Sequence, residues 1–478
     1  MVCPTPTRSE NPGIGWRGPG VALLGVAQAL LLVAVSGAAP GAQLAAVLVA
    51  AGLGGVALLW VACERRFEHM PLAAVLGLAL VLRLVAAQAS PLLEDDHYRY
   101  LWDGMRTATT LDPYRLAPAS FFGRDDLTAR WQDILGGINN PDVPTIYGPA
   151  LQWLFALAYW IAPGKLGALQ ALLLAADMAV LWVLVRHGTS KRWLLAYALH
   201  PLVLKEAIAS AHPDGLMALA LLLAVAAWQR RAAGWAGVML GLAVGTKIAA
   251  LVVLPLLLMA PPRPQNAAVA GNAATRWALR LGTGIGVTLL GLYAPFIATG
   301  GSDASALATF GSQWRFNPLL YRAVEMLAPA AVARPLAAAL IIAGVAALCW
   351  RWRRKAHFAA ASGSAPALPP ADLALVLLLL LSPVVNPWYW LWALALAIFY
   401  RRSWAVVAGV MAATSYLNST VLFEAGVLAD GSVAAPYSVH WTFTLIQMVA
   451  LVGAFAWHSM VSNQHKLSTS RESTVTNP

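Results

Sequence analysis

The chain has 478 residues, of which 59% are hydrophobic and 11% are charged, and its formal net charge is +11. Apolar runs of about 15 to 25 residues recur almost from end to end, which is typical of a membrane protein with several spans. This pattern leaves no segment for a sizeable soluble domain. The basic residues stand in short clusters between apolar runs, so the charge does not indicate nucleic-acid binding.

Continuous apolar runs predict helices, because backbone groups in lipid must bond to one another within the segment. The predicted fold class is an all-α polytopic membrane protein with about 12–14 transmembrane or re-entrant helices. Residues 1–89 form a tail and three spans, residues 90–148 an acidic outer loop, and residues 149–460 a multi-helix core. A polar tail without fixed structure, residues 461–478, completes the chain.

The positive-inside rule orients the chain in the inner (plasma) membrane. It places in the cytoplasm the basic clusters at 65–66, 186–192, 230–231, 263–280, 351–355 and 401–402. The loop 90–148 then faces outward, and it holds nine of the 21 acidic residues. Both termini are predicted to lie inside.

Three spans are predicted near 20–39, 42–62 and 71–89. Later spans are predicted near 166–186, 192–210, 213–229, 281–298, 335–350, 372–385, 388–400, 404–422 and 440–458. The run 150–162 is short and rich in tryptophan, so it is interpreted as a re-entrant or interfacial helix. The run 235–260 is broken by Gly245-Thr246-Lys247, which predicts two short helices that go up and come back. Glycines in "GTGIGVTLLG", from Gly282, are interpreted as packing positions.

The outer loop opens with "SPLLEDDHYRYLWDG", and Ser90-Pro91 is a favourable start for a short amphipathic helix. At about 100° per residue, Asp96 and Asp103 fall almost on one line, two turns apart. Arginines interleave with these carboxylates, and Tyr98 and Trp102 form a neighbouring aromatic stripe.

Two interpretations of this helix remain open. In the first, its charges pair with one another in water and its aromatic residues mark the membrane boundary. In the second, it carries an active site that moves a group from a lipid phosphate to a hydroxyl. That reaction needs a carboxylate to accept the hydroxyl proton and cations to hold the departing phosphate, and the helix supplies both.

The segments "EDDHYRYLWDG", "LDPY" and "IYGPALQWL" resemble the first outer loop of GT-C-type membrane glycosyltransferases, particularly the polyprenyl-phosphate-mannose-dependent mannosyltransferases. The positions that carry the resemblance are Asp95, Asp96, Asp103, Asp112-Pro113-Tyr114 and Tyr147-Gly148-Pro149. The resemblance implies transfer of a hexose, mannose above all, from a polyprenyl-phosphate donor to a lipid or glycan acceptor on the outer face. Two additional helices before the loop depart from the simplest family layout.

The resemblance makes Asp96 or Asp95 the catalytic base, with Asp103 supporting the site. Two nearby carboxylates plus phosphate oxygens suit Mg²⁺ or Mn²⁺, so Asp95 and Asp103 are also candidate metal ligands. The candidate substrate-binding residues in the loop are Arg99, Trp102, Tyr114 and Tyr147.

Four polar residues further along the chain are also candidates for substrate binding. His212 and Asp214 stand at the outer end of a helix, where they either serve the site or cap the helix. Lys247 either binds a lipid phosphate or is one more positive-inside residue. Arg315 in "QWRFNPLLY" is a candidate phosphate or sugar contact.

The aromatic run "SPVVNPWYWLW" at 382–392 is interpreted as an interfacial belt more readily than as a sugar platform. Two other functions remain alternatives. A transporter or flippase of lipid-linked sugars would commonly show paired halves with broken helices, and no such pairing is visible. A lipid-linked glycan polymerase or ligase would share the chemistry but would not need this acidic helix.

Overall fold

The computed structural model describes residues 18–259, 272–361, 367–428 and 437–475. Over these ranges the chain is helical and has no β-strand, with isolated bridges at Phe316–Val384 and Asn418–Val439. The predicted N-terminal tail up to residue 17 lies outside the described residues.

The first half of the chain forms eleven of the α-helices in the described ranges. They are α1 (Gly18–Ala34), α2 (Pro40–Cys63), α3 (Leu72–Ala86), α4 (Asp96–Thr110), α5 (Ala129–Gly136), α6 (Pro149–Ile161), α7 (Leu166–Arg186), α8 (Lys191–Ala198), α9 (Asp214–Gln229), α10 (Ala233–Thr246) and α11 (Leu254–Leu258). Short 3-10 helices lie at Arg65–His69, Pro118–Phe121 and Ile248–Val253, and a π-helix lies at Val203–Ala209.

The second half continues this pattern and ends in a long helix. Its elements are α12 (Ala273–Ala298), α13 (Ala304–Gln313), α14 (Tyr321–Leu327), α15 (Ala330–Ala361), α16 (Ala371–Leu381), a 3-10 helix (Pro387–Trp390), α17 (Leu391–Phe399), α18 (Trp404–Thr414), α19 (Ser419–Glu424) and α20 (Trp441–Val475). Helix α20 continues into the segment that the sequence places in the polar tail.

Within the part of the chain that the structure describes, four helices, α2, α7, α12 and α15, are long and apolar enough to cross a membrane. A fifth span results if the π-helix Val203–Ala209 and α9, which meet at 110°, are counted together. The other apolar helices have 10–17 residues. At about 1.5 Å per residue they are shorter than a hydrocarbon core of about 30 Å. The protein is an all-α polytopic membrane protein, as predicted; the number of crossings stays a prediction.

A buried ion pair joins three helices on one side of the core. Arg83 of α3 contacts Asp177 of α7 with a distance of 2.7 Å between Nε and Oδ2, and neither side chain is more than 5% exposed. Arg83 also donates to the carbonyl oxygen of Ala198 at the end of α8. The hydroxyl of Tyr197 donates to the second oxygen of Asp177 at 2.7 Å. Both charges are therefore compensated within the apolar core.

The run 235–260, which the sequence predicts to form two short helices that go up and come back, forms two such helical segments. Helix α10 ends at Thr246, Lys247 is extended, and the chain returns through the 3-10 helix Ile248–Val253 and α11. Trp228, at the end of α9, donates to the carbonyl oxygen of Met259. The end of the returning segment therefore lies close to the start of α10. Lys247 consequently lies at the tip of this excursion.

Close helix packing depends on glycine at two places. A Cβ on Gly284 of α12 would overlap the carbonyl oxygen of Gly234 near the start of α10, so the packing interpretation of "GTGIGVTLLG" holds for this glycine. A Cβ on the other three glycines of that segment would meet open space. A Cβ on Gly148 would overlap the carbonyl oxygen of Gly245. The loop that enters α6 therefore rests directly on the backbone beside Lys247.

The start predicted for the loop helix was wrong. Helix α4 begins at Asp96, not at Ser90-Pro91, and it runs through Gly104 to Thr110. Leu93 has a positive φ of 60°, and its backbone N–H donates to the side chain of Gln43 on α2. This bend turns the chain before the helix starts, so Glu94 and Asp95 lie in the entry loop and Asp96 lies in the first turn, where the helix dipole favours a carboxylate.

Candidate active site

A cavity of about 770 Å³ opens beside the first turn of α4. Its wall carries carboxylates (Glu94, Asp95, Asp96, Glu424), cations (Arg99, Lys247, Arg315) and aromatic rings (Tyr147, Trp314, Trp388, Tyr389, Tyr416, Tyr437). The volume is that of a site for a small organic ligand, and mixed apolar and charged walls are typical of such sites. Six of the residues predicted from sequence line this cavity: Asp95, Asp96, Arg99, Tyr147, Lys247 and Arg315.

Asp95 and Asp96, called here the carboxylate pair, lie side by side in the wall. The amide of Asn139 donates to Oδ1 of Asp95 at 2.5 Å and to Oδ1 of Asp96 at 2.9 Å. Burial, and next the charge of Asp96, raises the pKa of Asp95 above its usual value. The pair is thus held by one neutral donor between two like charges.

Asp96 is the more firmly held member of the pair. Its Oδ2 accepts hydrogen bonds from the hydroxyls of Tyr147 at 3.2 Å and Tyr100 at 3.4 Å. Tyr147 is itself positioned by the buried Tyr114, whose hydroxyl donates to the carbonyl oxygen of Tyr147 at 3.1 Å. The predicted residue Tyr147 therefore lines the cavity and bonds to the Asp96 carboxylate. Tyr114 is outside the cavity wall and supports Tyr147 through its backbone.

Asp103 lies one layer deeper than the carboxylate pair. It is 1% exposed, and the amide of Gln152 on α6 donates to its Oδ2 at 3.2 Å. Burial raises the pKa of Asp103, and the nearby Arg99 guanidinium opposes this rise. Among the described residues Asp103 is not part of the cavity wall. The structure thus places it where it joins α4 to α6.

Arg99 and Trp102 also serve to hold the loop together. Arg99 donates through Nη2 to the carbonyl oxygens of Asn140 at 3.2 Å and Val143 at 2.8 Å, although it reaches the cavity wall. Trp102 is 2% exposed and packs edge-on against Phe121, with ring centroids 5.2 Å apart. The structure does not bring Trp102 to the cavity.

Lys247 and Asp214 meet at the cavity. Lys247 Nζ lies 2.7 Å from Oδ1 of Asp214, and the indole N–H of Trp392 donates to the same oxygen at 2.5 Å. The ammonium also lies over the ring of Tyr389, 4.5 Å from its centroid, and 5.9 Å from the ring centroid of Tyr147. The Tyr147 ring therefore links the neighbourhood of Asp96 to that of Lys247.

Arg315 reaches the same cavity from the segment after α13. Its guanidinium contacts Glu325 of α14, with distances of 3.0 Å from Nε and 2.8 Å from Nη2 to the carboxylate oxygens. The Arg315 side chain remains 40% exposed. An anion in the cavity could share this guanidinium, which has five donors.

His212 is fully buried and lies behind the wall in an ion cluster. Its Nε2 is 2.7 Å from Glu94, and its Nδ1 is 3.4 Å from Glu206. Lys205 Nζ contacts both carboxylates, at 2.6 Å and 3.1 Å, and the hydroxyl of Tyr416. Burial raises the pKa of Glu94 to about 7, and the charges of His212 and Lys205 oppose this rise. Lys205 and Glu206 thus belong to a larger cluster that also contains Glu94 and Tyr416.

The imidazole of His212 also supports the aromatic wall. It stacks on Trp388 with ring centroids 3.8 Å apart and an angle of 13° between the planes. Trp388 and Tyr389 are nearly buried and line the cavity. The structure therefore places these two rings of "SPVVNPWYWLW" at the site, where the sequence favoured an interfacial belt.

The side chains do not fit a divalent metal well. Asp95 and Asp103 do not share a cavity wall, because Asp103 is bonded to Gln152 beneath it. Glu94, Glu206 and His212 bring ligand atoms within 4.8 Å of one another. However, the Lys205 ammonium already lies against both of these carboxylates, and Mg²⁺ favours oxygen ligands in a complete octahedral shell. The cluster is better explained as a charge-balanced group of side chains.

Sequence reasoning did not assign Asn139 or Glu94 to the site. Glu94 stands in the same acidic run as the carboxylate pair, so its position gave a signal. Asn139 lies 43 residues from Asp96 in the chain, and its type is common in turns. Nothing in the local sequence of Asn139 indicated its contact with α4.

Two family models match the chain. One, described as alpha-(1->6)-mannopyranosyltransferase, N-terminal domain, matches residues 14–263, which is slightly more than half of the chain. The other, described as glycosyltransferase family 87, matches residues 145–383. No curated protein and no solved structure matches the chain. The first match includes the carboxylate pair and Lys247, and the second extends to Arg315.

Proposed function

The chain belongs to the alpha-(1->6)-mannopyranosyltransferase family, and on this premise we propose that it transfers mannose from a polyprenyl-phosphate donor to a lipid or glycan acceptor. That it is a membrane glycosyltransferase follows from the family matches and the apolar helices. The sugar, the donor and the face of the membrane are parts of the proposal.

The observation that carries the proposal is the presence of the carboxylate pair and two cations, Lys247 and Arg315, in one cavity wall. Transfer of a glycosyl group from a phosphate to a hydroxyl develops negative charge on the phosphate and releases the hydroxyl proton. A wall that offers both a proton acceptor and cations meets both requirements. The aromatic rings around Lys247 offer an apolar face for a sugar.

In the proposed reaction the acceptor hydroxyl oxygen attacks the anomeric carbon while its proton passes to the carboxylate pair. The bond from the anomeric carbon to the phosphate oxygen breaks, and its electron pair stays with the phosphate. Lys247 and Arg315 stabilise that phosphate as its charge grows. A single displacement of this kind inverts the configuration at the anomeric carbon, as in other direct glycosyl transfers.

The direct test is an assay with membranes that contain the protein, labelled polyprenyl-phosphate mannose and extracted acceptor lipids. We expect label in a new glycolipid or glycan with the anomeric configuration opposite to that of the donor. Transport of the intact labelled donor across sealed vesicles, without a new glycosidic product, would instead support the flippase alternative. Retained configuration would contradict direct displacement.

Cysteines placed one at a time at exposed positions of the loop 90–148, such as Asp125 and Gln132, should react with an impermeant thiol reagent in intact cells. We expect this because the loop is acidic and the basic clusters lie at the opposite ends of the helices. A cysteine at Arg353 should react only after the cells are opened. The reverse pattern would place the loop in the cytoplasm.

Lys247→Gln and Arg315→Gln are each expected to reduce kcat/KM for the donor by about 10- to 100-fold, because each removes a hydrogen bond to a charged phosphate. The measurement is the initial rate against donor concentration in detergent micelles. Arg124→Gln is the matched control, since Arg124 pairs with Asp126 on the loop surface. Unchanged donor kinetics in both variants would remove the two residues from the donor site.

A further inference from the structure

Asn139 makes the only side-chain contact, among the described residues, that the structure records to both members of the carboxylate pair. A primary amide has two hydrogens on its nitrogen. Here one hydrogen goes to Asp95 and the other to Asp96, so the amide has none left for another acceptor. Its geometry fixes the two carboxylates relative to each other.

The loop that carries Asn139 is held in place by α4 itself. Arg99, in the first turn of α4, donates to the carbonyl oxygens of Asn140 and Val143, on the residues that follow Asn139. Asn140 has a positive φ of 47°, a conformation that asparagine tolerates better than most residues. On the other side, a Cβ on Gly137 would overlap the ring of Tyr98. The loop is therefore clamped at both sides of Asn139.

The electrostatic setting makes a neutral donor important at this point. Adjacent carboxylates repel each other, and Glu424 adds to the unfavourable charge at Asp95. The other groups that face the pair are the tyrosine hydroxyls of Tyr100 and Tyr147 and the imidazoles of His97 and His212. Those hydroxyls reach Asp96 alone. Without Asn139, Asp95 would lose its side-chain donor and the pair would lose its link.

We propose that Asn139 is a positioning residue that holds Asp95 and Asp96 side by side in the cavity wall for proton transfer from the acceptor hydroxyl. This inference rests on the proposed function, and it adds to it a residue that acts through the pair. Asn139 also lines the cavity, but in this scheme it acts through the pair, because its amide nitrogen already donates to both carboxylates. Its effect falls on the chemical step and not on donor binding.

Asn139→Ala is expected to lower kcat for sugar transfer by about 10- to 100-fold, the loss typical of a hydrogen bond to a charged group, while the donor KM changes less than about 3-fold. Asn139→Asp keeps the size of the side chain but replaces the donor by a third carboxylate. It should therefore be slower than Asn139→Ala. A role in packing alone predicts the opposite order, because the aspartate fills the same space.

A double-mutant cycle tests whether Asn139 acts through the pair. In the Asp96→Asn background, Asn139→Ala should reduce the remaining rate by less than about 2-fold, because the carboxylate that accepts the proton has been removed and only the smaller effect of Asp95 remains. Equal losses in both backgrounds would overturn the proposal. So would a wild-type kcat in Asn139→Ala, or a loss confined to donor KM.

Gln132→Ala is the matched control, since Gln132 is exposed on α5 and its side-chain amide donates to the nearby Leu127 carbonyl oxygen. Thermal unfolding in detergent verifies that each variant is folded. If the wild-type protein forms no glycosidic product with any lipid-phosphate sugar, the proposed function itself fails. If the wild type is active and the Asn139 variants behave like Gln132→Ala, only the positioning role fails.

Discussion

Asp96→Asn should reduce sugar transfer by about 10²- to 10⁴-fold, the loss typical of removing a general base. Asparagine keeps the size of the side chain and can still accept hydrogen bonds from Tyr147 and Tyr100, so the fold should survive. It cannot take a proton from the acceptor hydroxyl. The measurement is the single-turnover rate with saturating labelled donor and an equal amount of folded protein in each membrane sample.

Asp95→Asn provides the comparison that identifies the base. The structure gives Asp95 one side-chain donor, Asn139, whereas Asp96 is oriented by three. We therefore expect the larger loss for Asp96 and a smaller, still clear loss for Asp95, since each contributes charge to the pair. Near-normal transfer in both variants would leave α4 as an interfacial helix and would remove the catalytic interpretation of the loop.

Arg83→Met is expected to destabilise the protein by about 3–5 kcal/mol, because it leaves the buried Asp177 carboxylate without its cation. The Tyr197 hydroxyl would be its remaining hydrogen-bond donor among the contacts of the described residues. The effect should appear as a lower midpoint of thermal unfolding in detergent and as reduced abundance in membranes. Donor KM of the folded fraction should be unchanged, since Arg83 lies outside the cavity wall.

The double variant Arg83→Met with Asp177→Leu should recover much of the lost stability, because apolar side chains can replace a buried ion pair without leaving an uncompensated charge. Arg186→Met, at the exposed end of α7, is the matched control and should shift the midpoint little. If Arg83→Met melts at the wild-type temperature, the pair does not compensate a buried charge in the folded protein.

The continuous apolar runs of the sequence were enough to predict the helical fold and most helix positions, because each span must satisfy its own backbone in lipid. The turn at Lys247 was predictable because Gly245-Thr246-Lys247 interrupts an apolar run. The start of α4 at Asp96 was not predictable from the sequence. Ser90-Pro91 favours a helix locally, but the hydrogen bond from Leu93 to Gln43 of α2 depends on tertiary packing.

The candidate site was predictable where its functional side chains are neighbours in the sequence, as in the carboxylate pair. It was not predictable where one side chain comes from a distant segment. Arg315 was a candidate phosphate or sugar contact, and its partner Glu325 on the next helix was not predicted. Lys205 is next to Glu206 in the chain, yet it also contacts Glu94 from 111 residues away. Local patterns carry no information about such pairings.

The contact between Gly148 and Gly245 sets how the two chemical halves of the cavity are spaced. Gly148 follows Tyr147, which bonds to Asp96, and Gly245 precedes Lys247 by two residues. Two main chains in contact therefore set the spacing of the backbones that carry the proposed proton acceptor and the proposed phosphate-binding cation. On the proposed function, accommodation of a bulkier sugar would require changes in the Trp388–Tyr389 wall, with the contact between Gly148 and Gly245 left intact.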